Sequence, residues 1–181
     1  MSEANSFCMG KGLPPIRVGL GDDTHRTDPN AKAMILGGCR IECGFGLIGH
    51  SDADVLLHAV TDALLGAAAL GDGFGDIGEC FPDTDPANCG RSSSEMLAMV
   101  WKMIRHSPHS CRIVNLSCII HAQRPKIQPY RAAIRRCIAE ILGITLDQVS
   151  ISAKTGELVG PVGCGEAITA TAVVLLARST G

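Results

Sequence analysis

Residues 50–70 read HSDADVLLHAVTDALLGAAAL, an apolar stretch interrupted by ionisable groups about one turn apart. The pattern predicts one long helix from Ser51 to about Leu70, with Ser51-x-x-Asp54 resembling a capping box that uses Asp in place of Glu. Leu56, Val60, Ala63 and Ala67 fall on one face and belong to a core. His58 falls on another, with Asp54 at i−4 and Asp62 at i+4 beside it. The alternative, a helix surface of mixed charge, fits poorly, because few neighbouring residues are polar in the way a wet face requires.

The rest of the chain supplies strands on both sides of helices. IRVGLGDDTH reads as a strand ending at a site, and AMILGGCRIEC as a second strand or hairpin arm with a Gly-Gly bend. CRIVNLSCIIHAQ, VSISAK and ITATAVVLLA read as further strands. SSSEMLAMVWKMIRHS is a second helix capped at one of its serines. PYRAAIRRCIAEILGI is a third, with Pro129 near its first turn and Gly143 at its end. The order predicts an α+β domain, a sheet with helices packed on one face. The 181 residues fit a single domain over 16–181 behind a flexible extension over 1–15. The twenty residues GDGFGDIGECFPDTDPANCG form a long loop, and a loop of that length in a compact domain is usually functional or disordered.

Composition narrows the partners. A net charge of −2, no basic stripe and only 3% aromatics give no support to nucleic-acid binding. No apolar run reaches the ~18 residues of a membrane span. No secretory h-region precedes residue 15, and the nine cysteines include no C-x-x-C pair, which predicts reduced thiols and a cytoplasmic location. With so little basic charge, a phosphate-bearing ligand would rely on metal ions and backbone N–H groups.

Several groups carry candidate chemistry. Asp23 and His25, two apart in a strand, point to the same side, while Asp22 and Thr24 point to the other. Alone the D-x-H pair is a weak sign of half a zinc site, and a solvated turn with an ordinary histidine is the stronger reading. With His58 it makes three ligands, the pattern of a zinc centre that leaves one position open. Either Asp54 or Asp62 is placed to orient the free nitrogen of His58. His50 and Ser51 sit at a helix start, where an anion is favoured, although capping by Ser51 explains them as well. Glu157 offers a hard oxygen ligand, and Lys126, Lys154 and Thr155 offer phosphate contacts, although spacing alone favours a structural role for each.

Taken together, D-x-H, HSDADVLLHAVTDALLGAAALGD, GDIGECFPDTDP, RPK and GCGEAI stand in the order seen in the 2-C-methyl-D-erythritol 2,4-cyclodiphosphate synthase family of the non-mevalonate isoprenoid pathway. The chain resembles that family from Arg17 to Ala177. The resemblance implies a four-stranded mixed sheet, a homotrimer with active sites between subunits, and no membrane or nucleic-acid partner. It implies conversion of 4-diphosphocytidyl-2-C-methyl-D-erythritol 2-phosphate to the cyclic diphosphate with release of CMP. By the same resemblance Asp23, His25 and His58 match the ligands of Zn2+ or a similar ion, and Glu157 the ligand of a Mg2+ or Mn2+ that bridges the diphosphate. His50 and Thr155 match the residues that stabilise the transition state. Thr24, Ser51, Lys154 and Gly156 fall among the substrate contacts. Asp76, Ile77 and Gly78, with Phe81, Pro82, Asp83, Thr84 and Asp85, match a loop that holds the erythritol part. Ala122, Gln123, Arg124, Pro125, Lys126, Ile127 and Gln128 match a cytidine-phosphate pocket.

The chain also departs from the family pattern. GDGF makes the loop about four residues longer, Lys154 replaces a usual Thr, and Leu20 replaces a common His. Cys164 replaces an Arg that in many members can bind an isoprenoid diphosphate in the trimer's central cavity. A zinc-dependent phosphohydrolase, or a family member that binds metal without turnover, are the competing readings of the same residues.

Overall fold

The computed structural model describes residues 15–82, 84–88, 90–107 and 110–178. The expected N-terminal extension lies outside the described residues, apart from Pro15. Seven strands follow in chain order: β1 (Ile16–Asp28), β2 (Ala33–Leu36), β3 (Cys39–Glu42), β4 (Gly46–Leu47), β5 (Cys111–His121), β6 (Val149–Lys154) and β7 (Ala167–Arg178). The helices are α1 (Val55–Ala68), α2 (Ile77–Cys80), α3 (Ser93–His106), α4 (Arg131–Leu142) and α5 (Gly160–Gly163), with short 3-10 turns at Pro86–Asn88 and Leu146–Gln148.

The main sheet has five strands, in the order β4-β1-β7-β5-β6, where four were expected. The fifth is β4, two residues that pair with the far end of β1 through Thr27↔Leu47 and Asp28↔Gly46. It is too short to leave a period-2 signal in the sequence. The sheet is mixed as expected: β5 and β6 run parallel through the α4 crossover, and the other pairs are antiparallel. The AMIL and CRIE segments form their own two-stranded hairpin. Gly37 and Gly38 make its two-residue turn with φ of 60° and 75°, the left-handed pair that such tight hairpins require.

Burial alternates along β1. Gly19 and Gly21 face inward, whereas Ile16, Val18 and Leu20 are 60%, 65% and 66% exposed on the other face. The two glycines explain how α1 lies so close. A Cβ on Gly19 would stand 1.8 Å from the Ala63 carbonyl oxygen, and one on Gly21 2.0 Å from that of Ala59. Ala59, Ala63 and Ala67 of α1 are therefore matched to glycine on the strand, and these small residues allow a close helix–sheet contact. Leu56, Val60, Ala63 and Ala67 are buried, as the helical spacing predicts. α3 and α4 extend the same layer, joined where Trp101 Nε1 donates to the Leu142 carbonyl at 2.8 Å. Gly143 ends α4 in the left-handed conformation, and Ser92 caps α3 by accepting from the Ser94 N–H.

α1 begins at Val55 rather than at Ser51. Asp54 is its cap: the carboxylate accepts from the N–H groups of Leu56 and Leu57 at 3.2 and 3.1 Å. It also accepts from Gly37 and Gly38 at 2.8 and 2.7 Å, so one buried side chain ties the hairpin turn to the helix start. Burial pushes its carboxyl above the usual range and the N–H donors pull it back. Donors alone surround it, and a proton on either oxygen would find no acceptor, so the cage is built for the anion.

The seven described cysteines are free thiols. Cys111 and Cys118 are core residues, and burial pushes the Cys118 thiol up to about 12. Cys164 is exposed and the remaining four are half-buried.

Candidate active site and metal centre

The alternation of β1 puts Asp23 and His25 on the helix-facing side and leaves Asp22 and Thr24 exposed on the other. The first turn of α1 brings His58 against them. His25 Nε2 lies 3.2 Å from His58 Nδ1, and Asp23 Oδ2 lies 3.1 Å from each nitrogen. The three atoms make a nearly equilateral triangle. A tetrahedral zinc with ligands at about 2.0–2.1 Å needs ligand–ligand edges of about 3.3 Å, so these residues fit such an ion.

The protons support the same fit. His25 Nδ1 faces the Ile48 carbonyl oxygen at 2.7 Å, which can only accept, so Nδ1 donates and Nε2 presents a lone pair. Two acceptors, His25 Nε2 and Asp23 Oδ2, then face each other at 3.1 Å unless a cation lies between them or the ring is protonated. Burial acts to raise the Asp23 carboxyl, but hydrogen bonds and charge from His25 and His58 outweigh it and hold it well below the usual carboxylate range. Burial acts to lower His25, and Asp23 outweighs it, so the imidazole is raised. Both shifts favour cationic charge at this point.

Neither expected aspartate orients His58. Asp54 is occupied with the backbone groups described above. Asp62 Oδ1 accepts from the Ile77 N–H at 2.8 Å and so fastens the start of α2 to α1. Burial raises its carboxyl to about 6, with Asp76 and Asp23 adding to the rise against the Ile77 N–H. The free nitrogen of His58, Nε2, instead meets Ser93 Oγ at 2.9 Å and Ser51 Oγ at 3.2 Å. Ser93 Oγ is hydrogen-bonded to Asp52 Oδ1, and the Ser93 N–H donates to Asp52 Oδ2 at 3.1 Å. Sequence reading missed Ser93 and Asp52. SSSE signals a helix cap, and nothing in its spacing ties it to a histidine 35 residues earlier.

A cavity opens over the triangle. Asp23, His25, His50, Ser51 and His58 line its floor, with Ile77, Gly78 and Phe81 from the long loop. Asn88 and Met96, which the sequence did not single out, complete it. The loop is more ordered than a bare connection. Asp76 caps α2 by accepting from the Glu79 N–H at 2.8 Å, and Asp85 accepts from the Ala87 N–H at 3.0 Å. Asp76, Pro82, Thr84 and Asp85 do not line the cavity, and Asp83 lies outside the described residues.

The other expected contacts gather elsewhere, at the ends of the parallel pair β5–β6. There the Ala122 N–H donates to the Lys154 carbonyl at 2.9 Å. Thr155 Oγ donates to Glu157 Oε1 at 2.7 Å, and both residues are exposed. A Cβ on Gly156 would stand 2.3 Å from the Gly163 nitrogen, so only glycine lets the turn after β6 fold onto α5. The Arg124 guanidinium lies over the Phe45 ring at 4.9 Å and is followed by a cis Pro125. Ala122 and Ile127 are buried, and Gln123 is half-buried, with its Oε1 buried and without a hydrogen-bond partner. Lys126 and Gln128 are exposed. None of these residues lines the cavity over His58.

The family model described as the YgbB family matches residues 16–177, nearly the whole described chain. The chain belongs to the YgbB family. A relative from Bordetella avium (strain 197N), named 2-C-methyl-D-erythritol 2,4-cyclodiphosphate synthase, is 51% identical over 164 residues, which cover 91% of this chain and 97% of the relative. Among solved structures, the bifunctional IspDF from Campylobacter jejuni superposes with a TM-score of 0.82 at 33% identity, over 92% of this chain and 43% of that one. A 2C-methyl-D-erythritol-2,4-cyclodiphosphate synthase in a CDP-bound form superposes at 0.78 with 33% identity, over 88% of this chain and 99% of that one. YgbB membership thus extends from the first residue of β1 to the penultimate residue of β7, and it includes both groups of site residues.

Proposed function

We propose that this chain converts 4-diphosphocytidyl-2-C-methyl-D-erythritol 2-phosphate to 2-C-methyl-D-erythritol 2,4-cyclodiphosphate, releasing CMP. The observation that carries this is the Asp23–His25–His58 triangle beneath the 76–81 loop, in a chain about half identical to synthases of that name along almost their full length. The substrate's own 2-phosphate oxygen forms a bond to the β-phosphorus while the bond from that phosphorus to the CMP oxygen breaks. Atoms balance without water or a side-chain nucleophile. Catalysis therefore lies in positioning and charge neutralisation, and well-oriented intramolecular attack lowers a barrier by about 7–11 kcal/mol in favourable cases.

In this reading a divalent ion at Asp23, His25 and His58, zinc or a similar ion, and a second, Mg2+ or Mn2+, at Glu157 supply the positive charge that an acidic chain lacks. His50 and Thr155 face the phosphoryl groups that change partners. The 76–85 loop holds the erythritol part. Residues 122–128 with Lys154 take the cytidine phosphate.

A homotrimer with sites between subunits completes the reading, and two features support it. One is that the two groups of site residues lie apart on a single chain, so a second copy is needed to bring Thr155 and Glu157 to a neighbour's cavity. The other is that Ile16, Val18, Leu20 and Val173 leave an apolar strip on the sheet face that the helices do not cover, and Leu20 and Val173 are direct cross-strand partners. Exposed apolar strips of this kind mark association surfaces. No helix among the described residues is long and apolar enough to cross a membrane, and the reading places the enzyme in the cytoplasm.

His58→Ala tests the site. The variant is expected to lose both bound zinc, measured by elemental analysis of the dialysed protein, and CMP release. Full zinc with full activity in that variant would overturn the assignment.

A further inference from the structure

We propose that Asp52 and Ser93 are the positioning pair that fixes His58 in the one tautomer able to bind a metal ion, an inference that rests on the metal-centre reading above. The hydrogen bonds around His58 Nε2 run in one direction. An ionised carboxylate only accepts hydrogen bonds. Ser93 Oγ, bonded to Asp52 Oδ1, must therefore spend its single hydrogen on Asp52. What it turns toward His58 Nε2, at 2.9 Å, is a lone pair. Facing that lone pair, Nε2 carries the ring proton, which Ser51 Oγ at 3.2 Å can also accept, and Nδ1 is left with its lone pair facing Asp23 Oδ2 and His25 Nε2.

The pair is built to hold that direction. Ser93 is 1% exposed, so water does not compete for its hydroxyl. Asp52 is held through its second oxygen by the Ser93 N–H. The relay spans α3 and the segment before α1, and it grips the histidine from the side opposite the cluster. His25 has the same arrangement in simpler form, with the Ile48 carbonyl as its fixed acceptor. Both ligand rings are thus oriented by groups behind them, and losing such support typically costs about 10- to 100-fold in metal affinity.

The test uses full-length protein stripped of metal and titrated with Co2+, following the d–d absorption of the bound ion. Ser93→Ala is expected to weaken Co2+ binding by about 10- to 100-fold. Asp52→Asn is expected to weaken it too, because an amide can donate to Ser93 Oγ and free the hydroxyl to point at His58. Ser92→Ala removes the neighbouring α3 cap, which touches Ser94 and not His58, and is expected to leave Co2+ affinity unchanged while lowering thermal stability. In metal-free protein, histidine 15N shifts should show His58 as the Nε2–H tautomer, and the Ser93→Ala variant as a mixture. Wild-type Co2+ affinity in Ser93→Ala and Asp52→Asn, with His58→Ala unable to bind, would overturn the positioning role while leaving the metal centre intact. Equal Co2+ binding by wild type and His58→Ala would overturn the metal centre and this proposal with it.

Discussion

Removing the Asp54 carboxylate should damage the fold more than any surface charge change, and the cost can be worked from its contacts. Asp54 is fully buried. Its Oδ1 accepts from Gly37, Leu56 and Leu57, and its Oδ2 from Gly38. In Asp54→Ala the helix loses its cap, worth about 1 kcal/mol. The two hairpin N–H groups lose their Asp54 acceptors, at about 1–3 kcal/mol each for a buried donor left unmet. The total is about 3–5 kcal/mol once some water enters, against a total stability of about 5–15 kcal/mol for a domain. Asp54→Asn should cost less, about 1–3 kcal/mol. Its amide oxygen can still serve three donors, but its NH2 would face the Gly38 N–H across the present 2.7 Å contact. The assay is urea unfolding followed by far-UV circular dichroism at one protomer concentration, since association adds to apparent stability. An Ala variant within 1 kcal/mol of wild type, or an Asn variant as damaged as Ala, would refute the four-donor account.

Two further outcomes are expected. Gly21→Ala should destabilise by about 3 kcal/mol or more, because its Cβ meets backbone atoms at 2.0 and 2.6 Å that cannot move aside, whereas Gly66→Ala in α1, whose Cβ meets only the Leu20 carbonyl at 3.9 Å, should gain about 0.5–1 kcal/mol; thermal melts of both variants check this. Asp62→Asn should change the pH dependence of stability in metal-free protein. Burial raises the Asp62 carboxyl from 3.8 to about 6, so the protonated form is the better folded partner. Its contribution is fully present below the unfolded value and is lost as pH rises through about 6. Asn cannot ionise and keeps an acceptor for Ile77, so its melting temperature relative to wild type should rise between pH 4 and 7. A flat difference across that range would show that the burial of Asp62 is not felt.

Much of this architecture is legible in the sequence, because periodicity reports which way a side chain faces. Asp23 and His25 share a side by strand alternation, and the buried face of α1 follows from helical spacing. The helix starts at Val55 and not at the expected Ser51 for a physical reason. Asp54 at i−4 from His58 looks like a face partner only if the helix already exists there, but a buried aspartate that caps two N–H groups defines where it begins. β4 escaped because two residues carry no pattern. Ser93 and Asp52 escaped because a relay between two segments is a tertiary fact, and serine at a helix start already has a local explanation. The division of the site into two groups was not derivable from spacing either. It depends on where the ends of β5 and β6 lie relative to α1, which only the folded sheet decides.

The most direct test of the central claim is a phosphorus NMR time course on the purified protein given the diphosphocytidyl methylerythritol phosphate substrate with Zn2+ and Mg2+. The account predicts CMP and a cyclic diphosphate appearing in equal amounts, with no inorganic phosphate. Release of inorganic phosphate or a linear product, or no turnover by a protein that binds zinc, would contradict it.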